Sequence, residues 1–473
     1  MLAFLIFAAT FVVVLIIAVI YISPKSSAKG TTVPGLSPTT TEDGNLADIG
    51  RAGSLHEFLM DLHQQFGPIA SFWMGPQLVV SIASAELFKQ HQNVFDRPPE
   101  LFRLFEPLIG PKCIQYANGS DGRARRAAYD PSFSHEELKM YYPNLQKVTD
   151  GLVSKWSSMV KEEHIPLGQY MFAFSIKAAL TTLLGDCFEN DKEILSFKTH
   201  YDLVWSEMEH RLADPTIPDD DSPRAKTFSE SKKKIIASVM KSVEHRKKHG
   251  SKSEEHLLID RILDHHTDID VGHSDCLTYL VGGFHTTGNL LTWAFYFLAT
   301  HQDIQEKVFK EVIKVLGQDD TVEHHNINEM KYLRQVIDET LRCAVVAPWA
   351  ARFQDFDSEL GGHKIPKNTP VIHALGVMLQ DETVWPLPNK FDPDRLSTEQ
   401  SKGRPSLAFS PFGFAGKRIC PGYRFAYVGT TMCLATLIRK FKVNLVEGQV
   451  VKPEFGLVTH PVDEIWITVS KRK

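Results

Sequence analysis

The chain has 473 residues, a net charge of −5, 43% hydrophobic and 23% charged side chains. This balance excludes a fibrous or disordered protein and lacks the basic excess of a nucleic-acid binder. Its six cysteines are scattered without a C-x-x-C pair, which argues against a disulfide framework or a structural zinc site and fits a reducing compartment.

In chain order, Leu2 to Ile22 come first, 21 residues without a charge. At about 1.5 Å per residue they would reach roughly 31 Å, the depth of a hydrocarbon core. No cation precedes the run, while Lys25, Lys29 and Arg51 follow it. Residues 1–23 therefore read as an uncleaved transmembrane anchor, N-terminus lumenal and body cytosolic. A cleaved signal peptide is the rival; it has a shorter apolar region and a basic residue in front. Residues 24–50, rich in Ser, Thr, Pro and Gly, read as a linker and irregular lead-in. Residues 51–473 show no further linker and no repeat, so they read as one large domain.

Within that domain "SLHEFLMDLHQQFG" predicts a helix, and "IASFWMG" with "QLVVSIAS" predicts a hairpin turning at Gly75-Pro76. Helical patterns follow through much of 135–345. The longest, from about Asp275 to Thr300, is apolar nearly all round and is expected to be buried. After Arg342 come short strands and Pro/Gly-rich segments, then a last helix from Pro421 to about Lys440. The fold class is mainly α (α+β), a helix-rich body with a smaller β-sheet region.

The stretch "SPFGFAGKRICPG", residues 410–422, carries the most chemistry. Its glycines permit close backbone approach, and Pro421 suits the first turn of a helix whose dipole would stabilise an anion on Cys420. With Arg418 two residues away, the thiol is expected to titrate low. A thiolate so placed is either a nucleophile or a metal ligand. No base is close in sequence, whereas a stiff loop, backbone N–H donors and a cation suit an axial ligand to haem iron.

"GKRICPG" resembles the cysteine-ligand loop of the cytochrome P-450 enzymes, and other signatures of that family appear in order. "ETLR" resembles its E-x-x-R and "FDPDRL" the segment that supplies a second arginine; together they imply a Glu339–Arg342–Arg395 charge network. "GGFHTT" resembles the oxygen-activation motif, with Thr286 at the place of the threonine that holds dioxygen. His285 stands where the family usually has Asp or Glu. Three readings stay open for it: a proton relay, a side chain turned away, or a blocker or sixth ligand of iron. "GRARRAAYDPSFS" resembles W-x-x-x-R followed by P-x-F-S, implying Arg126 at a haem propionate, with Gly122 in place of the tryptophan. "PWAAR" implies Arg352 at the other propionate. Gly416, Arg418 and Gly422 keep the family's spacings from Cys420, but "PFGFAG" has one residue more than "PFGxG". A bulge is therefore expected, with either Phe412 or Phe414 shielding the sulfur. "DGNLADIG", "LVWSEME", "ALGVMLQD" and "EIWITVSK" narrow the resemblance to animal family 20, subfamily A, an orphan group.

The resemblance implies haem b ligated by Cys420 and insertion of one atom of dioxygen into an organic substrate. The electrons are expected from NADPH through NADPH-cytochrome P-450 reductase, with cytochrome b5 a further candidate partner, at the endoplasmic reticulum membrane. Lys417, Arg424, Arg439 and Lys440 are expected to surround the loop as a basic docking patch. Phe, Leu and Val in the segments before Arg123, around 196–230, along the Gly282 helix and after Pro348 imply an apolar small-molecule substrate. Two other functions compete: a peroxygenase or isomerase working without reductase, and a non-catalytic membrane-anchored haem sensor or carrier.

Overall fold

The computed structural model describes residues 30–160, 162–185, 191–213, 222–249, 256–266, 268–319 and 321–472. The apolar run read as an anchor lies outside these residues. Among the described residues no helix is long and apolar enough to cross a membrane.

The lead-in is tied down rather than loose. Leu36 N donates to Ser71 O (2.9 Å) and Ser71 N to Pro34 O (2.8 Å), so it lies along a strand edge with Val33 buried. Helix α1 (Leu46–Ala52) already begins inside the expected linker. Helix α2 (Leu55–Phe66) is capped by Ser54, whose hydroxyl accepts from Glu57 N (3.1 Å), and ends at Gly67 with φ 84°. Its apolar face, Phe58, Leu59 and Leu62, is buried. The hairpin forms as expected, β1 (Ile69–Met74) antiparallel to β2 (Gln77–Ile82). Helix α3 (Ala85–His91) follows.

The helical body comprises α4 (Gly119–Tyr129), α5 (Tyr142–Ser158), α6 (Leu167–Ala179), α7 (Asp191–Ala213), α8 (Pro223–His249), α9 (Ile269–Thr300), α10 (Gln302–Leu316) and α11 (Lys331–Ala344). Helix α9 runs through the core, packed on α6, α11 and the C-terminal helix α12 (Tyr423–Lys440). It starts six residues before the expected Asp275, because Asp268 supplies the cap to Asp270 N (3.0 Å). Asp275 itself is fully buried and bonded elsewhere.

The larger sheet has the order β1-β2-β4-β3, with β3 (Ala350–Arg352) and β4 (Val371–His373). Strand β4 is parallel to β2 and antiparallel to β3. A second sheet pairs β5 (Phe441–Leu445) with β6 (Trp466–Lys471), which also takes Ile165–Pro166. Several buried side chains form one large helical core and smaller ones against the sheet. The cysteine loop is held between these layers.

Candidate active site

The loop before Cys420 turns left-handed at Gly413 (φ 77°) and Gly416 (φ 46°), where a side chain would be strained; Gly422 (φ −83°) is not left-handed. The extra residue is absorbed by a tight turn. Gly416 N donates to Phe414 O (2.8 Å) across Ala415 at φ −76°, ψ 71°, the geometry of an inverse γ-turn. Phe414 thereby leaves the cavity and stacks on Phe88 and His373, each 4.4 Å between ring centres. Phe412 remains at the cavity wall, and its carbonyl accepts the Cys420 N–H (3.0 Å). Of the two aromatics, Phe412 is the one beside the sulfur's cavity.

The thiol does not titrate low as the sequence suggested. Burial pushes Cys420 up, opposed by the Gly422 N–H and by Arg126 and Arg97. Helix α12 starts only at Tyr423, two residues or about half a turn later than Pro421, so its N-terminus stands further from the sulfur than expected. A metal ion bound at the sulfur would hold it as a thiolate.

Cys420 faces a cavity of about 320 Å³ with four arginines on its wall: Arg97, Arg126, Arg352 and Arg418. Arg126, on α4, spends its guanidinium on Asp130 (2.7 Å) and on Ile419 O (2.8 Å). Burial works against its charge, but Asp130 outweighs this and the group titrates above its ordinary value. Among the described residues the other three have no carboxylate of this kind. Burial, then the neighbouring guanidiniums, drops Arg97 to about 10 and Arg418 to about 8, and Arg352 falls well below its usual range. The Nε atoms of Arg352 and Arg418 are buried without a partner. Since arginine keeps its proton in proteins, this concentration of positive charge calls for a bound anion. A haem group, with two propionates and an iron open to a thiolate, fits that donor set. Sequence reasoning missed Arg97: a lone arginine beside two prolines has no spacing that marks it.

Gly122, the departure from tryptophan, has a steric cause. A Cβ there would lie 2.2 Å from Ala117 O, so α4 rests directly on the Ala117 carbonyl.

On the wall shared with α9, Thr286 and Gly282 line the same cavity, and Thr286 Oγ1 donates to Gly282 O (3.1 Å). His285 does not line it. The imidazole is buried, its Nδ1 2.5 Å from the Tyr201 hydroxyl and its ring 4.1 Å from that of Trp205. Burial drops it to about 3, so it is neutral. The sixth-ligand reading is thus overturned by position. His285 instead stands between an apolar cavity of about 200 Å³, shared with Thr286 and Trp349, and a polar cleft of about 560 Å³ lined by Asp202, Glu209 and His460.

The E-x-x-R pair lies on α11 with both residues fully buried. Arg342 Nε donates to Glu339 Oε2 (2.8 Å) and Nη2 to Oε1 (2.9 Å); Arg395 Nε donates to Oε1 (3.0 Å). Arg342 also holds Pro388 O (2.7 Å) and Arg395 holds Pro386 O (2.8 Å). The expected basic patch is split. Lys417 and Arg424 are exposed at the loop, whereas Arg439 and Lys440 lie at the other end of α12, about 22 Å away at ~1.5 Å per residue.

Residues 34–467 match the family model for Cytochrome P450. The chain is similar over its whole length to proteins named Cytochrome P450 20A1. It is 38% identical to that of Rattus norvegicus over 472 residues and 35% to that of Homo sapiens over 476, each covering 100% of both chains. Cytochrome P450 6a9 of Drosophila melanogaster is 27% identical over 85% of this chain and 86% of its own. Among solved structures, the cytochrome P450DA heme domain superposes with a TM-score of 0.80 at 19% identity, covering 93% of this chain and 98% of that one.

Proposed function

The chain belongs to the cytochrome P450 family and is a monooxygenase carrying haem b with an axial cysteine thiolate, and from that premise we propose how its own residues divide the work. Cys420 is the axial ligand. Arg97, Arg126, Arg352 and Arg418 receive the propionates, and Glu339, Arg342 and Arg395 lock the segment behind the loop. Gly416 and Gly422 let the loop backbone close around the sulfur. The bound haem supplies oxygen activation; the protein supplies ligand, orientation, protons and exclusion of water.

The substrate is an apolar organic molecule. The observation that carries this is the cavity beside Thr286, walled by Phe102, Phe105, Ile109, Val281, Trp349 and Leu457. Thr286 presents its hydroxyl to the reacting face. His285 serves as the proton relay between the polar cleft and that face. A neutral imidazole can take a proton at one nitrogen and release one from the other, and Tyr201 holds its Nδ1 for this.

Electrons come from NADPH through NADPH-cytochrome P-450 reductase, with cytochrome b5 an accessory donor; Lys417 and Arg424 offer the cations nearest the loop. The uncharged run from Leu2 to Ile22 supports a single-pass anchor in the endoplasmic reticulum membrane, N-terminus lumenal and catalytic domain cytosolic.

The reduced carbon-monoxide difference spectrum of the purified full chain, wild type against Cys420→Ala, tests the site. Loss of the red-shifted Soret band in Cys420→Ala is expected, and an unchanged band overturns the ligand assignment. Addition of reductase and NADPH to the same protein in phospholipid vesicles tests the electron source: no reduction of the haem would refute it.

A further inference from the structure

We propose that Asp275, on α9, is a positioning residue that holds the backbone strap 114–117 in the register where it orients Arg418 and Arg97 toward the cavity. This rests on reading that cavity as the haem site. The strap crosses the cavity edge with Ile114 and Gln115 on its wall. Its hydrogen bonds point two ways. On the inner side, Arg418 Nη1 donates to Ile114 O (3.1 Å), Arg418 Nη2 to Ala117 O, and Arg97 Nη1 to Gln115 Oε1. Asn118, next in the chain, exchanges two 2.9 Å bonds with the Arg97 backbone. Two of the four cavity arginines therefore take their aim from this one segment.

On the outer side the strap is held by Asp275. Its Oδ1 accepts the Ile114 N–H (2.5 Å), and its Oδ2 accepts the Tyr129 hydroxyl (2.9 Å). Arg125 Nη1 reaches both oxygens at 3.4 and 3.5 Å and also donates to Lys112 O (2.7 Å), just ahead of the strap. His266 Nε2 lies 3.3 Å from Oδ2. Asp275 is fully buried. A carboxylate so expensive to bury is retained here with donors from α4 and from the strap, which is how a ligand-orienting outer shell is built. Without it, the Ile114 N–H loses its acceptor in the interior. The strap is then free to slide, and both guanidiniums lose their aim while every direct contact to the cofactor stays chemically intact.

The test uses purified holoprotein and two readouts, haem transfer to excess apomyoglobin and the reduction potential. In Asp275→Asn, transfer should accelerate about 10-fold, the lower end for loss of an outer-shell partner. Removing a nearby negative charge by itself would raise the potential. Displacing two guanidiniums from the propionates lowers it, so a more negative potential is expected. Tyr129→Phe deletes one bond without changing charge and should give a smaller acceleration; it decides the matter if Asp275→Asn does not fold. Val443→Ala, in the second sheet, provides a control destabilised elsewhere. An unchanged transfer rate in Tyr129→Phe and Asp275→Asn, an acceleration no greater than the control's, or a potential that rises overturns the proposal. Failure of the haem reading looks different, since the wild type itself would then carry no transferable haem.

Discussion

Glu339→Gln is isosteric yet removes the carboxylate that Arg342 and Arg395 share. In the native protein that group accepts five donors: two from Arg342, one from Arg395, the Asp392 N–H (3.0 Å) and the Cys343 thiol (3.5 Å). The amide keeps one oxygen and turns an NH2 toward a guanidinium. Two charge-assisted bonds are lost at roughly 1.5–3 kcal/mol each, in line with the 3–5 kcal/mol for breaking a buried ion pair. That is a large share of a total stability of about 5–15 kcal/mol. With an unfolding entropy of about 2.1 cal/mol/K per residue, a chain of 473 residues loses about 4 °C of midpoint for ~4 kcal/mol. The damage is local as well. The network holds the carbonyls of Pro386 and Pro388, and Trp385 beside them packs on Phe409 at the head of the cysteine loop. The assay is haem per protein together with the thermal midpoint followed at the Soret band. A variant with full haem and a midpoint within about 1 °C of wild type would refute the reasoning built on these magnitudes.

Phe414→Ala should lower stability by about 3–5 kcal/mol while keeping the carbon-monoxide band, whereas Phe412→Ala should shift the reduction potential with the smaller loss of stability; the reverse pattern would mean that Phe414 screens the sulfur. Gly122→Ala drives a methyl into Ala117 O and should cost about 1–3 kcal/mol in denaturant melts with weakened haem retention; wild-type behaviour would show that α4 can move off the strap. Burial holds His56, His63 and His91 near 4 and His285 near 3. Below pH 6.5 the unfolded chain takes up protons that the fold refuses, so stability falls by up to about 1.4 kcal/mol per pH unit for each, down to about pH 4. Asp275, raised to about 6 mainly by burial, acts oppositely and offsets one histidine below pH 6. Urea midpoints at pH 7 and pH 5 check the balance, and equal midpoints would contradict it.

What could be read along the chain depended on short range. Ser54 and Gly67 bracket α2, Gly75-Pro76 turns the hairpin, and Glu339 and Arg342 share a helix face three residues apart. Each of these needs only local geometry, and each formed as expected. Cys420 with its glycines and Arg418 belongs to the same class, because a contiguous loop brings them together. Helix α9 starts six residues before the expected Asp275, because Asp268 caps it and Asp275 is used up in bonds to α4 and the strap.

By itself, then, the sequence determined the helix-rich class, singled out the Cys420 loop and Thr286, which share one cavity, and grouped Glu339 with Arg342 and Arg395. Only the tertiary structure decided that Phe412 rather than Phe414 lines the cavity, that His285 faces Tyr201, and that Arg97 joins three distant arginines. It also separated Arg439 and Lys440 from the loop and explained Gly122. The physical reason is common to all of these. Burial, charge crowding and side-chain direction are properties of residues far apart in the chain that meet in space, and no spacing along one segment encodes them.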